Sequence, residues 1–536
     1  MTSSFPVRGT AWGPNGCAAA DHPLAASAGL GMLQRGGSAA DAAVAMAAVM
    51  VVVQPQFSNV GGDLFALTFA SAAGRVEALN SSGPAPLASR ADDYRALGGI
   101  PTTGPLAVTV PGCVDGWWKL HQRHGRLPWP ILFEPAVSYA AEGFPASRGL
   151  ARAMARGRER FYPAAYFKEI FGLVSGEGGQ RVVQREMAGT LDAIASGGAA
   201  AFYSGGIADL CRETLNGRGA LFTPDDWQPP GRWGEALSVE FAGYRVHSQP
   251  PPSQGYVLLL ACSLYQHLLA DDAGRTPEVL LQLRAAAAAF AHRSRFAADP
   301  DGGRFDAVSQ LHPARADEIL AAAGGSSGTE EGDGDTTYLL AIDGDGNAVS
   351  LIQSIFAPWG SGVMVPGAGI ILNNRMCGFT LEPGHPNELA GGRRPNHTLH
   401  CYLVTVDPPP LLPLASKAGD PTLPAVLRVV GGTPGADRQV QTNLQILDRL
   451  LRQGEDPQAA LDAPRWSIGD PAGDGHAVEV EVREPDTLGG IFRAAGHDVL
   501  PKGHFGETGK AYVAVAGPAG IGAAADLRGE GQALVY

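Results

Sequence analysis

The chain has 536 residues, of which 45% are hydrophobic and 17% are charged, and its formal net charge at pH 7 is −13. This composition excludes wholesale disorder and is sufficient for a sizeable core. The 40 basic residues, against 53 acidic ones, form no cluster that would serve as a nucleic-acid footprint, so we expect no nucleic-acid partner. The length is typical of three or four domains or of one large α/β unit.

The six cysteines contain no Cys-x-x-Cys pair, so the sequence predicts neither a disulfide framework nor a zinc site. His397, His400 and Cys401 lie close enough in sequence to raise the question of a metal. No second group of ligands accompanies them, and we expect no metal and no cofactor.

The amino-terminal residues 1–8 lack the basic stretch followed by an apolar run that marks a signal peptide. The most apolar run, residues 42–53, is shorter than the ~20 residues that a membrane-spanning helix needs. We therefore expect no membrane partner and a cytoplasmic location.

Helices dominate the early part of the chain and strands the late part. Ser38 followed by Asp41 is the pattern of a helix N-cap, and it precedes a helix that is apolar nearly all round and ends before Pro55. The Gly- and Ser-rich residues 324–335 are typical of a polar linker. Hydrophobic periodicity predicts helices at residues 22–35, 39–53, 114–124, 190–196, 207–216, 285–298, 439–453 and 457–463, and strands at residues 64–69, 76–79, 363–373, 399–406 and 427–431.

An Asp-Gly-Asp-Gly-Asn cluster at residues 343–347 separates two apolar runs, which is the pattern of a β-hairpin. If the turn is centred on Asp345, facing residues are equally far from it along the chain, so Thr336 faces Ser354. Directly opposed side chains lie about 4.5–5.5 Å apart at Cβ. The pattern therefore predicts two neighbouring hydroxyl groups at the open end of the hairpin.

Thr336 is a candidate nucleophile. A hydroxyl is a weak nucleophile without a base, and cleavage of the chain directly before a threonine supplies that base as the freed α-amine. Asp335–Thr336 is the bond at which we expect such a cleavage. Two other interpretations stay open: an ordinary hairpin with two threonines at a strand start, and Thr337 as the nucleophile.

Short motifs follow one another along nearly the whole chain. They occupy residues 22–25, 36–43, 59–62, 110–112, 125–129, 250–253, 334–337, 345–349, 360–362, 369–376, 394–395, 432–438 and 525–531. In this order they resemble the gamma-glutamyltransferase family of self-cleaving N-terminal-nucleophile hydrolases. The resemblance implies an α/β (α+β) fold, a four-layer αββα sandwich, with residues 1–335 as a large subunit and 336–536 as a small one. The two would stay one intertwined unit after autocleavage, and we further consider a homodimer of such processed heterodimers.

The resemblance also implies roles for single residues. Thr336 falls on the nucleophile and Ser354 on a helper threonine hydroxyl. Gly435 and Ala436 fall on the glycine pair whose backbone N–H groups form the oxyanion hole, and alanine at the second position keeps that donor. The alternatives are a polar strand position for Ser354 and an ordinary tight turn for the Gly435 segment.

The pocket departs from the family pattern at the residues that bind the γ-glutamyl group. The family's Arg, Asn, acidic residue, Glu or Gln, and Ser-Ser pair correspond here to Ser82, Phe356, Gly378, Arg375 and His397-Thr398. An ammonium group without a carboxylate partner would be poorly held. We therefore expect the usual γ-glutamyl recognition to be lost.

Arg375 adds a positive charge near the nucleophile, and a guanidinium fork suits a carboxylate. His397 and Thr398 would donate hydrogen bonds, Asn374 adjoins Arg375, and Phe356 would narrow the pocket. The expected partner is a small amide that bears a carboxylate and no amine, such as oxamate, and this block of residues resembles the oxamate amidohydrolase branch of the family. The alternative for Arg375 is a surface salt bridge.

Three functions are compatible with these patterns. The first is an autoprocessed amidohydrolase that releases ammonia from oxamate or a close relative of it. The second is a γ-glutamyl transferase or hydrolase, or an acylase of glutaryl or cephalosporin side chains. The third is an unprocessed, inactive relative that only binds a ligand. The presence of Thr336, Ser354 and the glycine motif favours the first two.

Overall fold

The computed structural model describes residues 8–157, 164–171, 177–302, 305–322, 336–407, 425–468, 477–483, 485–503, 505–506, 509–517 and 520–536. Within these ranges two antiparallel sheets of seven strands each form the centre of the molecule. The predicted cleavage residue Asp335 lies outside the described residues.

Sheet I contains the predicted nucleophile hairpin. Its strands, in spatial order, are β21 (Gln532–Val535), β2 (Cys17–Ala20), β10 (Thr337–Ile342), β11 (Ala348–Ser354), β3 (Asp63–Ala70), β4 (Arg75–Ser81) and β7 (Arg232–Glu235).

Sheet II lies against it. Its strands, in spatial order, are β1 (Ala11–Gly13), β20 (Gly520–Ala525), β19 (Tyr512–Gly517), β15 (Val426–Gly432), β14 (Cys401–Val406), β9 (Tyr244–Ser248) and β8 (Leu237–Phe241).

Alternate side chains of each strand pack into different layers, because successive side chains point to opposite faces of a sheet. In β10, Tyr338 and Leu340 join a buried cluster with Leu403 and Val430 of sheet II. Their neighbours Leu339 and Ala341 instead pack with the helices outside sheet I. The predicted four-layer αββα sandwich is thereby confirmed.

Helices cover the outer face of each sheet. The helices whose buried side chains pack outside sheet I are α1 (Pro23–Gln34), α2 (Ala39–Val53), α4 (Cys113–His124), α5 (Glu134–Glu142), α6 (Arg148–Gly157), α7 (Ala164–Phe171), α8 (Arg185–Gly197), α9 (Ala200–Tyr203) and α10 (Gly206–Asn216). Those that pack outside sheet II are α11 (Gly255–Asp272), α12 (Glu278–Phe296), α13 (Ala307–Gln310), α14 (Ala316–Ala322), α15 (Arg438–Leu447) and α16 (Pro457–Asp462).

Smaller elements complete the described part of the chain. They are α3 (Ala91–Ala96), α17 (Thr487–Ala494), the pair β5 (Phe144–Pro145) and β6 (Arg181–Val182), the pair β12 (Met364–Val365) and β13 (Ile370–Ile371), and the sheet of β16 (Trp466–Ile468), β17 (Ala477–Glu481) and β18 (Asp498–Lys502).

Both central sheets combine strands from either side of the predicted cleavage bond. In sheet I, β10 lies between β2 and β11, and β11 pairs with β3. In sheet II, β14 pairs with β9. A cut before Thr336 would therefore leave two segments held together by strand pairing and by the core between the sheets.

The helix α2 begins as the sequence predicts. The Ser38 side chain accepts a hydrogen bond from the Asp41 N–H, and the Asp41 carboxylate accepts one from the Ser38 N–H at 2.8 Å. This reciprocal capping box satisfies two donors at the helix start. Every residue of α2 is buried, as its nearly continuous apolar sequence requires.

The nucleophile hairpin has the predicted register. Thr337 pairs with Gln353 and Ile342 pairs with Ala348. Asp343 fixes the turn, since its Oδ1 atom accepts the N–H groups of Asp345 and Asn347, each at 3.0 Å.

One predicted strand, residues 363–373, is wrong. The segment forms the short hairpin of β12 and β13 instead. Gly367 and Gly369 adopt φ angles of +82° and +67° in its turn, a conformation that glycine reaches without steric cost. Among the described helices, none combines the length and apolar character that crossing a membrane requires.

Candidate active site

The site is built on one row of residues across sheet I. Ser354 in β11 pairs with Asp63 in β3. Thr336 directly precedes β10, and the hairpin register continued by one residue places it opposite Ser354. Facing residues of an antiparallel pair point to the same face of the sheet, so the three side chains lie side by side.

This row faces the interior between the two sheets. The row two residues further along contains Tyr338, Ile352 and Phe65, which belong to the core between the sheets. Since side chains alternate with a period of two, Thr336 and Asp63 point the same way. Both are buried, with exposed fractions of 2% and 0%.

Thr337 points to the opposite face of sheet I. Its Oγ1 atom donates a hydrogen bond to the Gln353 carbonyl at 3.2 Å. Gln353, its partner in the register, contacts the helical layer, since its Nε2 atom donates to the Ala47 carbonyl of α2. This orientation favours Thr336 over Thr337 as the nucleophile.

The glycine motif at residues 59–62 packs directly against the site. A Cβ atom on Gly62 would lie 2.4 Å from the Ser354 carbonyl oxygen, and one on Gly61 would lie 2.3 Å from that of Ile371. Real Cβ atoms do not approach backbone so closely. Glycine is therefore required here for the chain to reach Asp63 at the start of β3.

Asp63 joins Arg375 and His397 in a buried charged cluster. The Asp63 Oδ2 atom lies 3.2 Å from Nε2 of His397 and 3.7 Å from Nε of Arg375. Its Oδ1 atom accepts the N–H of Gly83 at 3.0 Å. Asp63 was not predicted as a site residue from the sequence. Its position directly after the glycine motif, at the start of a strand, could have indicated one.

Arg375 is buried, not at the surface. Its exposed fraction is 0%, and in the described part of the chain none of its three guanidinium nitrogens has a hydrogen-bond partner. Burial lowers the pKa of this guanidinium to about 10, while the charge of Asp63 acts in the opposite direction. The surface salt bridge considered from the sequence is therefore wrong.

Phe356 covers the guanidinium. Its ring centroid lies 4.3 Å from Cζ of Arg375, within the range of a cation–π contact. The backbone of Phe356 has a φ angle of +80°, which is unusual for a residue with a bulky side chain. Its N–H donates to Oγ of Ser354 at 2.8 Å, so the same turn links the arginine to the Ser354 hydroxyl.

His397 is held as a neutral imidazole. Burial, followed by the charge of Arg375, lowers its pKa to about 4, although the hydrogen bond to Asp63 opposes the shift. The ring packs edge-on against Phe65, with centroids 4.8 Å apart. Its Nδ1 atom is buried and has no hydrogen-bond partner among the described residues.

Asn374 and Thr398 have different surroundings from Arg375. The Asn374 amide accepts the Ala357 N–H and donates to the Thr102 carbonyl, both at 3.0 Å, so it braces the turn that holds Phe356. Thr398 is half-buried, and its carbonyl accepts a hydrogen bond from Gln254 at 2.5 Å.

Ser82 stands where the family resemblance places an arginine. By register it lies beside Asp63, and its hydroxyl donates to Oδ1 of Asn80 at 2.7 Å. Gly378 packs against backbone, since a Cβ atom there would lie 2.4 Å from the Asn396 carbonyl oxygen. Neither position offers a charged group to a ligand.

The loop after β15 carries Gly435 and Ala436. A Cβ atom on Gly432, at the end of β15, would lie 2.4 Å from the ring of Tyr338, so the loop begins beside the nucleophile hairpin. Gly435 and Ala436 adopt φ angles of +123° and +47°. Such a turn can direct backbone N–H groups toward a developing negative charge.

The sequence raised the question of a metal near His397, His400 and Cys401. Within the described residues, no group of three or more His, Cys, Asp or Glu side chains is arranged to hold a metal ion. His400 bonds to Asn443, with Nε2 3.1 Å from its Nδ2 atom, and Cys401 bonds to Gln249. The two side chains are thus bound to different partners.

Comparison with known proteins identifies the family to which this chain is related. The family model described as gamma-glutamyltranspeptidase matches residues 25–536. The glutathione hydrolase-like YwrD proenzyme of Bacillus subtilis is 33% identical over 526 residues, which cover 96% of this chain and 97% of that protein. The oxamate amidohydrolase proenzyme of Klebsiella pneumoniae is 33% identical over 539 residues, covering 97% of this chain and 98% of that protein.

A solved structure extends the likeness to the whole fold. The cephalosporin acylase of Bacillus halodurans superposes with a TM-score of 0.85 at 29% identity, and the match covers 100% of this chain and 99% of that one. Together with the family model, these similarities confirm the family resemblance and the fold that the sequence predicted. The chain belongs to the gamma-glutamyltranspeptidase family.

Proposed function

We propose that this chain is a self-processing amidohydrolase that uses Thr336 to hydrolyse a small amide bearing a carboxylate, with oxamate as the first candidate substrate. One observation carries the proposal: the buried Arg375 guanidinium has no hydrogen-bond partner among the described residues. The Asp63 carboxylate, 3.7 Å from Nε, offsets the charge but accepts no hydrogen bond from the guanidinium, and buried donors without acceptors are costly. A substrate carboxylate would supply the missing acceptors.

In the proposed processing step, the Thr336 hydroxyl attacks the carbonyl carbon of Asp335. The peptide C–N bond breaks, an ester forms, and the Thr336 nitrogen takes the proton and becomes the α-amine. Water then hydrolyses the ester, which restores the hydroxyl and leaves a carboxylate on Asp335. The α-amine is the base that the threonine otherwise lacks.

In the proposed turnover, the α-amine takes the hydroxyl proton of Thr336 as its oxygen attacks the substrate amide carbon. The N–H groups of Gly435 and Ala436 would stabilise the oxyanion, and such a donor is worth about 10²–10³ in rate. The C–N bond breaks with proton return to the leaving nitrogen, which departs as ammonia. Water hydrolyses the acyl ester and releases the second carboxylate.

The charges around Arg375 support a substrate without an amine. The Asp63 carboxylate could hold an ammonium group, but it already contacts His397, Arg375 and the Gly83 N–H. A neutral His397 can donate or accept a hydrogen bond without adding charge. The relative named oxamate amidohydrolase proenzyme lends this substrate class and the processing step further support.

A γ-glutamyl substrate is the second candidate. Arg375 and Asp63 carry opposite charges 3.7 Å apart, which is the arrangement that an amino acid with a carboxylate and an ammonium group would need. The relative named glutathione hydrolase-like proenzyme is consistent with this candidate. An acylase acting on larger side chains and an unprocessed binding protein are the remaining alternatives.

An ammonia-release assay on a series of amides tests the proposal. The series is oxamate, malonamate, succinamate and glutaramate, with glutamine as the amine-bearing member and propionamide as the neutral one. We expect a carboxylated amide without an amine to give the highest kcat/KM. A higher kcat/KM for glutamine would favour the γ-glutamyl hypothesis. Turnover of propionamide as fast as that of the carboxylated amides would mean that Arg375 does not bind the substrate.

The variant Arg375→Ala completes the test. A charged hydrogen bond is worth about 1.5–3 kcal/mol, so KM for the carboxylated amide should rise by about 10- to 150-fold. Turnover of propionamide should stay at its wild-type level, and self-cleavage should be intact. Loss of self-cleavage in this variant would instead assign Arg375 a structural role.

A further inference from the structure

Gln254 lies at the junction of two walls of the candidate site. It directly precedes α11, and its exposed fraction is 1%. Its backbone N–H donates to the His397 carbonyl at 2.8 Å, next to the bridge between Ser253 and His397. The residue is therefore fixed against the segment that carries His397 and Thr398.

The Gln254 side chain reaches from that segment to the loop of Gly435 and Ala436. Its Nε2 atom donates to the Thr398 carbonyl at 2.5 Å and to the Ala436 carbonyl at 3.1 Å. Both amide protons are thus used, one on each wall. The hydrogen bonds tie together two segments that lie far apart in the sequence.

A half-buried ion pair between Arg293 and Asp437 fixes the orientation of this amide. The Gln254 Oε1 atom accepts a hydrogen bond from Nη1 of Arg293 at 2.7 Å. The same guanidinium pairs with both carboxylate oxygens of Asp437, at 2.5 and 3.2 Å. Asp437 directly follows Ala436, so Arg293 and Gln254 hold two consecutive residues of the loop and are hydrogen-bonded to each other.

The backbone of this loop needs such support. Ala436 has a φ angle of +47°, a left-handed conformation that costs a non-glycine residue about 1–2 kcal/mol. Strained residues keep such a conformation only when the surrounding structure holds them there. The Ala436 carbonyl accepts hydrogen bonds from the Gln254 side chain at 3.1 Å and from the Gln439 N–H at 3.2 Å, and the first of these ties the strained residue to the His397–Thr398 segment.

We propose that Gln254 is a positioning residue, which sets the direction of the oxyanion-binding N–H groups relative to the His397–Thr398 wall. The inference rests on the proposed function, because it takes Gly435 and Ala436 as the oxyanion hole. Misplacement of a catalytic group by about 1 Å can cost about 100-fold in rate. Loss of the Gln254 hydrogen bonds should therefore lower kcat by about 10- to 100-fold and leave KM within about threefold.

Two variants separate positioning from packing. Gln254→Met keeps the side-chain length and removes all three hydrogen bonds. Gln254→Glu keeps the shape and the pairing with Arg293, but an ionised carboxylate cannot donate to the Thr398 and Ala436 carbonyls. We expect the same loss of kcat in both variants.

Gln249→Met is the matched control. Gln249 is also fully buried, and its amide bonds to Sγ and N of Cys401 at 2.9 and 3.0 Å. Among the described residues, its side-chain hydrogen bonds are with Cys401 and Ser248 and not with Thr398 or Ala436. This variant should lose stability without losing kcat.

The decisive readout is independent of the substrate class. Acylation of Thr336 by p-nitrophenyl acetate, followed as a burst of p-nitrophenol, needs the nucleophile and the oxyanion hole but no carboxylate pocket. We expect a burst that Thr336→Ala abolishes, that both Gln254 variants slow by about 10- to 100-fold, and that Gln249→Met leaves unchanged.

A burst of wild-type rate in both Gln254 variants would overturn the positioning role alone. Slowing by Gln254→Met and Gln249→Met alike, with the glutamate variant unaffected, would also overturn it. A wild-type enzyme without any burst that depends on Thr336 would overturn the proposed nucleophile and the inference with it.

Discussion

Asp63 in β3 lies directly opposite Ser354 in β11, so a buried carboxylate stands beside the hydroxyl that faces the candidate nucleophile. The same carboxylate lies 3.2 Å from His397 and 3.7 Å from Arg375. It therefore joins the nucleophile hairpin to the cation that we propose binds the substrate. This relationship balances the charge of Arg375 inside the site and leads to the first prediction.

The first prediction concerns Asp63→Asn. The amide keeps an acceptor for the Gly83 N–H but removes the charge that opposes Arg375. An uncompensated buried charge costs about 3–5 kcal/mol, so the variant should melt at a lower temperature than wild type. Oxalate, a dianion that cannot be hydrolysed, should then raise the melting temperature more in the variant than in wild type, since it supplies the missing counter-charge. Differential scanning fluorimetry over an oxalate titration measures both effects.

Asp226→Asn is the control for this prediction. Asp226 is also buried, and its carboxylate accepts the N–H groups of Leu87 and Thr223 away from the site. Its variant should be destabilised but should show the wild-type response to oxalate. An oxalate response that is no larger in Asp63→Asn than in wild type would contradict the proposed electrostatic role of Asp63.

The second prediction concerns Phe356→Ala. The ring covers Arg375 and fills space beside it, so its removal should admit longer acyl groups. A methylene group in an apolar pocket changes kcat/KM by about 10- to 200-fold, and we expect the ratio of glutaramate to oxamate turnover to rise by at least about tenfold. Phe69→Ala serves as the control, because Phe69 pairs with Ala348 at the opposite end of the same strands. An unchanged substrate ratio in Phe356→Ala would show that the ring does not limit acyl length.

The third prediction concerns stability against pH. Burial is the largest cause that lowers the pKa of His22, His247, His397 and His400 from 6.5 to about 4. Between pH 4 and 6.5 the unfolded chain binds protons that the folded chain excludes, so the free energy of unfolding must rise with pH across this window. Each histidine contributes a slope of up to about 1.4 kcal/mol per pH unit.

Urea unfolding at pH values from 4.5 to 7.5 measures this slope. His247→Asn should reduce it, because His247 lies in β9 with its Nε2 atom 2.9 Å from the Thr405 hydroxyl, away from the nucleophile. A free energy of unfolding that is flat or falls between pH 4.5 and 6.5 would contradict the neutral, buried state of these histidines.

Local patterns predicted the elements that hold the nucleophile. The turn residues at 343–347 were sufficient for the register of β10 and β11, because turn chemistry and register are coupled at short range. The capping pair Ser38 and Asp41 likewise located the start of α2. The four-layer architecture, in contrast, came from the family resemblance and not from periodicity.

Contacts between distant segments were beyond sequence reasoning. Asp63, Arg375 and His397 belong to three separate segments, and only the packing of sheet I against sheet II brings them together. The sequence predicts that the usual carboxylate partner of a substrate ammonium is lost at Gly378, and it does not indicate that Asp63 lies beside Arg375. Gln254 was not predicted from the sequence for the same reason, since its hydrogen-bond partners Thr398 and Ala436 are remote from it along the chain.

The measurement that bears most directly on the proposed mechanism is a denaturing gel of wild type and Thr336→Ala, with amino-terminal sequencing of any smaller band. We predict two fragments in wild type, the smaller beginning Thr336-Thr337-Tyr338, and a single uncut chain in the variant. An uncut wild-type chain, a fragment that begins at another residue, or cleavage that persists in Thr336→Ala would contradict the assignment of Thr336 as the self-activating nucleophile.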